Sequence, residues 1–568
     1  MDTADLFCDG ALMRRFAVSA LCGLALALGA CSTARTAHVT PETAPSGPPK
    51  LIVAISVDQF SADLFAQYRS RFSSGLARLQ QGAVFPSGFQ AHAATETCPG
   101  HATLLTGTRP ARSGIIANNW YDLGTARAEK KIYCAEDEND PASSSRDPVV
   151  SAVHLKVPTL GDLMKGANPA TRNVSVSAKD RAVMMMGGHR IDAAYWYYKG
   201  QFATLKGREP SPAANAINNA VAALVKKGAP AMPMPAWCAS ADQPIAVGKG
   251  QLGTGRFALE AGKPDALRAS PRMDSATVDL ANALIDEMNL GKGSVADILS
   301  VSLSATDYIG HANGTEGGEM CVQMAELDRT IGRLLAHLDA RGIDYAVVLS
   351  ADHGGLDIPE RQREQALPRA VRADPGLAPQ ALAKALSVQT GVTSPDPLLS
   401  SDGLFGDFYV SRKIGAADRA RVIGALVKLA RAHPQVAAVF TADELAKTPL
   451  PSGSPQDFTL KDRARASFDP TRSGDVVILL DRAVTPIPEP AVGSFVATHG
   501  SAWDYDRRVP MLFWRKGLRG FEQPAPVETI DIAPTLAAML GLAVPEGTFD
   551  GRCLDVDGGE RNTCEVIK

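Results

Sequence analysis

Six carboxylate and imidazole side chains occupy positions from which they could bind a metal ion together. Most end an apolar run or lie in a loop next to Gly, and they are Asp58, Asp307, His311, Asp352, His353 and His499. Zinc accepts this mixture of oxygen and nitrogen ligands. Taken singly, a strand-end Asp more often caps a helix and a lone His more often makes a structural hydrogen bond. It is the set of six that favours a metal site.

Two pairs within this set have spacings that restrict the local structure. Asp307 and His311 are four residues apart, so they share one face if a helical turn begins at the strand end. Asp352 and His353 are adjacent, and adjacent side chains of a strand point to opposite faces. Joint ligation by this second pair therefore requires a turn, which the two glycines that follow can supply.

A hydroxyl nucleophile is suggested by the segment TETCPGHATLLTG at residues 95–107. A Thr hydroxyl is a poor nucleophile at its ordinary pKa, but metal coordination activates it. Pro99 favours the first turn of a helix and Thr97 lies just before it, where free backbone N–H groups favour an anion. The alternative is that Thr97 only caps the helix.

The elements that must position these residues are apolar runs that stop at polar clusters. Such runs are typical of buried parallel strands. They occur at residues 51–58, 173–181, 296–307, 345–355 and 475–481. Helical patterns lie between them, as at residues 319–341, so the sequence predicts an α/β fold with a parallel sheet. Ligands of such sheets bind beyond the carboxyl ends of the strands, where we expect the strand-end aspartates to converge.

The composition indicates an ordinary globular protein. The 568 residues are 45% hydrophobic and 21% charged, which disfavours collagen, coiled coil, disorder and a polytopic membrane protein. The formal net charge is −3, so no global positive field would hold the chain on nucleic acid. We therefore expect no nucleic acid as a specific partner, and any recognition of anions must be local.

The amino terminus predicts export. Arg14 and Arg15 precede an apolar run that is short for a membrane span of about 20 residues and fits a secretory signal. LGAC at residues 28–31 resembles the lipobox of bacterial lipoproteins, with the lipid on Cys31. A plain signal peptide and an uncleaved anchor are the alternatives. We expect a signal peptide at residues 1–30, a Pro- and Thr-rich tether at residues 31–50, and a lipid-anchored protein of the periplasm or cell envelope.

The rest of the chain, residues 51–568, is expected to be one main domain with two insertions. These lie at about residues 191–274, where periodicity is weak, and at about residues 402–468, where a small strand and helix unit is indicated. Six of the nine cysteines follow residue 50, an even number that permits three disulfides in an exported protein. Cys553 and Cys564 are the easiest pair because they would close a short loop. No CxxC spacing occurs among the six, which disfavours a thiolate zinc cluster.

Seven motifs, in order along the chain, resemble the alkaline phosphatase superfamily. They are Asp58 after a strand, TETCPGH around Thr97, GIIANNWYD around Asn118, KDR at residues 179–181, DYIGH from Asp307, DHGG from Asp352, and THG at residues 498–500. Within the superfamily the chain resembles the periplasmic, phosphate-irrepressible phosphomonoesterases with a Thr nucleophile. This resemblance implies a central, mostly parallel sheet flanked by helices, with inserted cap subdomains.

The resemblance also implies two zinc ions. The first would be held by Asp58, Thr97, Asp352 and His353, and the second by Asp307, His311 and His499. Thr97 would attack the phosphorus of a phosphate monoester to give a phosphothreonine, which water then hydrolyses to inorganic phosphate. The expected substrates are small-molecule phosphate monoesters, and the expected state is a monomer.

Three further residues would contact the non-bridging phosphate oxygens by the same resemblance, and they are Asn118, Lys179 and Arg181. The charge of Lys179 and Arg181 suits a dianion, because Arg can bind two phosphate oxygens and Lys adds a point charge. The alternative is that Lys179 and Arg181 are two solvent-exposed residues of a loop with no role in catalysis. His101 matches no catalytic position, and we expect it to support the helix of the nucleophile.

Other functions remain open within and outside the superfamily. Nucleotide pyrophosphatase/phosphodiesterases share the metal and nucleophile positions but lack the Lys and Arg clamp. Sulfatases need a modified Cys or Ser in a CxPxR-like motif, and CPGH at residues 98–101 lacks the Arg, so Cys98 is expected in a disulfide or in packing. A non-catalytic phosphate- or metal-binding lipoprotein should have lost a metal ligand or the nucleophile, and none of the seven residues predicted for these roles is missing.

Overall fold

A computed structural model gives the fold of residues 47–253 and 255–567. The signal peptide predicted at residues 1–30, Cys31 and most of the predicted tether lie outside these described residues. Within them, no helix combines the length and the apolar character that crossing a membrane would require.

The strands are β1 (Leu51–Val57), β2 (Ala83–Phe89), β3 (Asn119–Tyr121), β4 (Lys131–Tyr133), β5 (Asn173–Ser177), β6 (Ala193–Tyr198), β7 (Gln201–Ala203), β8 (Ile245–Val247), β9 (Gly250–Leu252), β10 (Asp297–Leu303), β11 (Tyr345–Ser350), β12 (Val371–Arg372), β13 (Leu399–Ser400), β14 (Gly406–Val410), β15 (Val436–Thr441), β16 (Val476–Leu480), β17 (Val484–Thr485), β18 (Arg508–Arg515), β19 (Phe521–Glu522) and β20 (Val527–Glu528). The α-helices are α1 (Ala62–Tyr68), α2 (Gly75–Leu79), α3 (Thr97–Thr106), α4 (Pro110–Ser113), α5 (Leu160–Ala167), α6 (Asp180–Gly187), α7 (Pro212–Lys227), α8 (Pro271–Glu287), α9 (Ala305–Asn313), α10 (Gly318–Ala340), α11 (Pro359–Glu364), α12 (Pro379–Thr390), α13 (Ala416–Arg431), α14 (Ala442–Ala446), α15 (Leu460–Ser467), α16 (Asp504–Arg507) and α17 (Ile532–Leu540).

The central sheet has the strand order β19-β2-β18-β11-β1-β10-β5-β6-β7, and β20 also pairs with β2. Its middle is parallel from β11 through β1, β10 and β5 to β6. Antiparallel pairs follow on both sides, β11 with β18 and β6 with β7. The predicted mostly parallel central sheet is therefore confirmed.

Helices cover both faces of this sheet. Along β1, Leu51, Val53 and Ile55 contribute to one apolar core, which includes side chains of α8 and α10. Ile52 and Ala54 contribute to another, which includes side chains of α3 and α17. Successive side chains of a strand point to opposite faces, so a wholly apolar β1 is what a sheet covered on both sides requires.

One predicted strand exists but does not belong to the parallel sheet. The run at residues 475–481 forms β16, which lies in a separate four-stranded sheet of order β13-β14-β16-β15 and pairs antiparallel with β14 and β15. Val476 and Ile478 pack in one apolar cluster, whereas Val477 and Leu479 pack in another. A strand buried on both faces is apolar throughout in either kind of sheet, so the run itself could not distinguish them.

The two predicted insertions occupy different parts of this architecture. Residues 406–410 and 436–441, within the predicted insertion 402–468, supply β14 and β15 of the second sheet. Residues 193–203, at the start of the predicted insertion 191–274, pair with the central sheet as β6 and β7. The proposed domain boundaries stay a prediction.

Three disulfides join the six cysteines that follow the tether. The predicted Cys553–Cys564 pair is confirmed. The others are Cys98–Cys134 and Cys238–Cys321. The first of these ties the start of α3 to the residue after β4, so Cys98 is a disulfide cysteine and not a reactive thiol.

Candidate active site and metal centre

Four neighbouring strands of the central sheet deliver the site residues at one edge. β1 ends just before Asp58, β11 just before the loop with Asp352, and β5 just before Lys179. β10 leads directly into α9, which carries Asp307 and His311. The carboxyl ends of parallel strands lie on the same side of a sheet, so residues far apart in the chain meet there.

The start of α9 is held by a side chain from another helix. Asp274 of α8 accepts a hydrogen bond from the backbone N–H of Ala305 at 2.9 Å and one from the Gln323 amide at 2.8 Å. Burial raises the pKa of Asp274 to about 7. With the helix begun at this point, Asp307 and His311 share a face, and Oδ1 of Asp307 lies 3.2 Å from Nε2 of His311.

The loop after β11 brings Asp352 and His353 to the same side. Because β11 ends at Ser350, neither residue is subject to strand alternation. Gly100 of α3 passes very close to this loop: a Cβ there would lie 2.0 Å from the carbonyl oxygen of Asp352. A residue with a side chain would therefore push the helix of the predicted nucleophile away from the loop.

Three histidines share one hydrogen-bonding pattern. In each, Nδ1 contacts a backbone carbonyl oxygen: His311 to Ala497 at 2.9 Å, His353 to Gly354 at 2.9 Å, and His499 to Thr95 at 2.8 Å. A carbonyl only accepts, so Nδ1 carries the proton and the Nε2 lone pair is available. This is the usual orientation of a metal-binding imidazole.

His101 differs from these three. Its Nδ1 lies 2.9 Å from the carbonyl oxygen of Thr97 and 3.1 Å from Oδ2 of Asp352, and its Nε2 lies 3.0 Å from Oγ of Ser302. Both ring nitrogens are thus engaged by protein groups. As expected, His101 supports the helix of Thr97, and it also holds the Asp352 carboxylate.

The ligand atoms fall into two groups whose members lie within 4.8 Å of one another. One group contains Asp307, His353 and His499, and the other contains Asp58, His101 and Asp352. The predicted sets differ from these groups. They place His353 with Asp58 and Asp352, and they place His311 with Asp307 and His499. His353 lies between the groups: its Nε2 is 3.2 Å from Oδ2 of Asp352, and its ring stacks on His499 at a centroid distance of 3.6 Å. The ligand assignment of each histidine stays a prediction.

The donor atoms fit divalent cations. The buried side-chain atoms of the described chain that have no hydrogen-bond partner include both carboxylate oxygens of Asp58, Oδ2 of Asp352 and Nε2 of His353. Their close contacts are ion pairs with Lys179, with His101 and with one another. Buried polar atoms without such partners are rare, and these converge on one space. The oxygen and nitrogen donors suit zinc or a similar ion.

The site also brings three negatively charged carboxylates, Asp58, Asp307 and Asp352, close together in a buried space. Burial and Asp352 together raise the pKa of Asp58 to about 7. Burial alone would lower the pKa of His353, but Asp352 outweighs it and raises that pKa to about 9. Burial likewise opposes ionisation of Asp307, yet His311 and Lys179 hold its pKa well below the ordinary value. A bound cation would neutralise this charge.

Thr97 is the first residue of α3 and is completely buried. The backbone N–H of Cys98 donates to Oδ1 of Asn118 at 2.8 Å, and the backbone N–H of Asn118 donates to Glu96 at 2.7 Å. With its oxygen engaged, the Asn118 amide has its NH2 group left to donate to a ligand. Glu96, and not Thr97, occupies the N-cap position, so the capping alternative for Thr97 has no support here.

The side chains of Lys179 and Arg181 both reach the Thr97 hydroxyl. Nζ of Lys179 and Nη2 of Arg181 each lie 3.4 Å from Oγ1 of Thr97. Lys179 is also 2.6 Å from carboxylate oxygens of Asp58 and Asp307. Burial would lower the pKa of Lys179, but these two carboxylates outweigh it and raise the pKa above its ordinary value. A solvent-exposed loop pair is thereby excluded as a description of these residues.

Sequence reasoning missed several residues that hold this arrangement. The Tyr133 hydroxyl donates to Asp180 at 2.6 Å beside Arg181, and Asp274 and Glu96 hold α9 and Asn118 as described above. Glu96 could have been suspected from its place next to Thr97. Tyr133 and Asp274 carry no signal in the sequence, because only the folded chain brings them near the site.

Comparison with known proteins agrees with this geometry. The family model for type I phosphodiesterase / nucleotide pyrophosphatase matches residues 52–502. Alkaline phosphatase PhoK of Sphingomonas sp is 53% identical over 519 residues, covering 91% of this chain and 93% of PhoK. Alkaline phosphatase PhoD of Zymomonas mobilis is 49% identical over 524 residues, covering 91% of this chain and 90% of PhoD.

A solved structure extends the agreement to the fold. The crystal structure of wild-type alkaline phosphatase PafA superposes with a TM-score of 0.78 at 26% identity, covering 90% of this chain and all of that one. The family model, the two relatives and this structure all span most of the chain. The chain therefore belongs to the type I phosphodiesterase / nucleotide pyrophosphatase family, within the alkaline phosphatase superfamily.

Proposed function

We propose that this chain is an alkaline phosphatase that hydrolyses phosphate monoesters at a two-zinc site, with Thr97 as the nucleophile. The observation that carries the proposal is that Lys179 and Arg181 both lie 3.4 Å from the Thr97 hydroxyl oxygen. The names of the two bacterial relatives support it. The protein is expected to work as a monomer on small-molecule substrates.

The clamp favours monoesters over diesters for an electrostatic reason. A monoester dianion carries one more non-bridging charge than a diester, and buried cations stabilise that charge strongly where water is excluded. Lys179 is 2% exposed and Thr97 is fully buried, so little solvent screens their interaction with a phosphoryl group. The phosphodiesterase alternative has one observation in its favour, the description of the matching family.

The covalent step assigns each residue a role. The Thr97 hydroxyl gives up its proton and its oxygen forms a bond to phosphorus as the ester P–O bond breaks, while the departing alkoxide takes up one proton to become the alcohol, so the net proton count is unchanged. Water then cleaves the phosphothreonine, which releases inorganic phosphate and restores the hydroxyl. Lys179, Arg181 and the Asn118 amide hold the non-bridging oxygens throughout.

The cations would be held by the residues that the resemblance names. Asp58, Thr97, Asp352 and His353 would form one set, and Asp307, His311 and His499 the other. When bound, two such ions favour the ionised Thr97 hydroxyl and stabilise the attacking and leaving oxygens. The buried donors without hydrogen bonds around Asp58 support this assignment.

Removal of metal is expected to abolish monoester hydrolysis. The measurement compares an aryl phosphate monoester with the matching diester, before and after chelation and again after zinc is added back. A large monoester preference that is lost on chelation and restored by zinc supports both the clamp and the metal site. A diester preference would move the assignment to the phosphodiesterase branch, and no hydrolysis of either ester by zinc-loaded protein would favour the non-catalytic alternative.

We also propose export and lipid attachment at Cys31. The apolar run after Arg15 and the LGAC sequence support this, and the even set of disulfide cysteines fits an oxidising compartment. Cys31→Ser is expected to release the protein from the membrane fraction into the soluble periplasmic fraction without changing its specific activity. Cys8→Ser is the matched control. Equal membrane retention by wild type and Cys31→Ser would contradict a lipid on Cys31.

A further inference from the structure

Gln59 connects the carboxylates of the two predicted ligand sets. Its backbone N–H donates to Oδ1 of Asp352 at 3.1 Å, and its side-chain Nε2 donates to Oδ1 of Asp307 at 3.2 Å. It also follows Asp58 directly and is 1% exposed. One buried residue thus contacts or adjoins carboxylates from the ends of β1, β10 and β11.

The backbone of Gln59 adopts a conformation that must be imposed by its surroundings. Its φ is 65°, in the left-handed region that residues other than Gly rarely occupy. Such strain persists only where neighbouring structure over-determines it, and it clusters at functional sites. Here the conformation turns the chain just after Asp58, so that the N–H points to Asp352 and the side chain to Asp307.

Two glycines make room for this side chain. A Cβ on Gly310 of α9 would lie 1.7 Å from Oε1 of Gln59, and a Cβ on Gly355 would lie 2.8 Å from its Cγ. Each glycine belongs to an element that carries predicted ligands, Asp307 on α9 and Asp352 in the loop after β11. The two elements therefore pack against Gln59 as a spacer.

The oxygen that Gln59 contacts is the one turned toward the histidines. Oδ1 of Asp307 lies 3.2 Å from Nε2 of His311 and 3.3 Å from Nε2 of His499. The other oxygen, Oδ2, contacts Lys179 at 2.6 Å. A carboxylate oxygen has two lone pairs, so the amide of Gln59 can hold one while the other faces the histidine pair.

We infer that Gln59 is a positioning residue that sets the orientation of the Asp307 carboxylate and so the affinity of the second ligand set for its cation. This inference rests on the proposed function, because it concerns the proposed metal site. Partners of ligating carboxylates outside the coordination shell act in this way in other metal sites, and their removal costs about 10- to 100-fold in metal affinity.

Gln59→Gly separates the side chain from the backbone. Glycine accepts the positive φ without strain and keeps the N–H that donates to Asp352, so the variant removes the side chain, including the amide that contacts Asp307, and leaves the backbone contact. Zinc affinities of the full-length protein would be measured by competition with a chelator of known affinity. We expect two ions per chain in both proteins, with one of the two bound about 10- to 100-fold more weakly in Gln59→Gly. Activity should return as zinc is raised.

The controls distinguish the possible outcomes. Gln362→Ala removes another buried glutamine side chain that is not bonded to either ligand set, and it should leave both zinc affinities unchanged. Should Gln59→Gly fail to fold, Gln59→Met keeps the length without the donor and is expected to show the same weakened ion. If the wild type binds two zinc ions and Gln59→Gly binds both with unchanged affinity, the inference about Gln59 is overturned and the proposed function is not. A wild type that binds fewer than two ions would overturn the proposed function and this inference with it.

Discussion

Thr97→Ala is expected to lower kcat/KM for an aryl phosphate monoester by about a thousandfold or more while both metal ions remain bound. The substitution removes the hydroxyl together with one methyl group, and loss of an attacking group typically has effects of this size. The neighbouring donors Asp58, Asp352 and His353 stay in place, so metal content should persist. Turnover and zinc content, measured on the same preparation, check both halves of the expectation.

A chemical trap makes this test independent of rate. Acid quenching during turnover of a radiolabelled monoester should leave phosphothreonine in the wild type and none in Thr97→Ala. Thr106→Ala is the matched control, because Thr106 is a buried threonine at the other end of α3 whose hydroxyl contacts the Ala102 carbonyl at 2.7 Å. Near-wild-type activity in Thr97→Ala would refute the assigned nucleophile.

Arg181→Ala is expected to lower monoester turnover about 100- to 1,000-fold, and turnover of the matching diester by less than about tenfold. Loss of one fixed donor to developing charge has effects of the larger size, and the diester lacks the extra non-bridging charge. The measured quantity is the ratio of kcat/KM for the two esters. Arg181 is the cleaner probe, because Lys179 also neutralises Asp58 and Asp307 at 2.6 Å.

The control for this variant is Arg190→Ala, which removes an exposed arginine beyond the end of α6. It should leave the ester ratio at its wild-type value. Equal losses on both esters in Arg181→Ala would count against a clamp that reads the charge of the phosphoryl group. They would instead point to a structural role, in which Arg181 holds Tyr133 and the start of α6.

Much of the fold could be predicted from the sequence because local pattern determines it. Apolar runs that stop at Asp58, Asp307 and Asp352 predicted buried parallel strands, and β1, β10 and β11 confirm them. The four-residue spacing in DYIGH placed Asp307 and His311 on one face on the condition that a helical turn begins there, and α9 supplies that turn. Residues 475–481 show the limit: burial on both faces makes a strand apolar in a parallel or an antiparallel sheet alike.

The sequence by itself determined which residue types are present for chemistry, their order, and the strand ends that deliver them. Only the tertiary structure decided which carbonyl orients each histidine, how Cys98 pairs, and that Gln59 spans the two ligand sets. His499 and its partner Thr95 are 404 residues apart in the chain. The physical reason is that such contacts depend on sheet order, on helix approach at Gly100 and on buried hydrogen bonds, none of which leaves a periodic trace in the sequence.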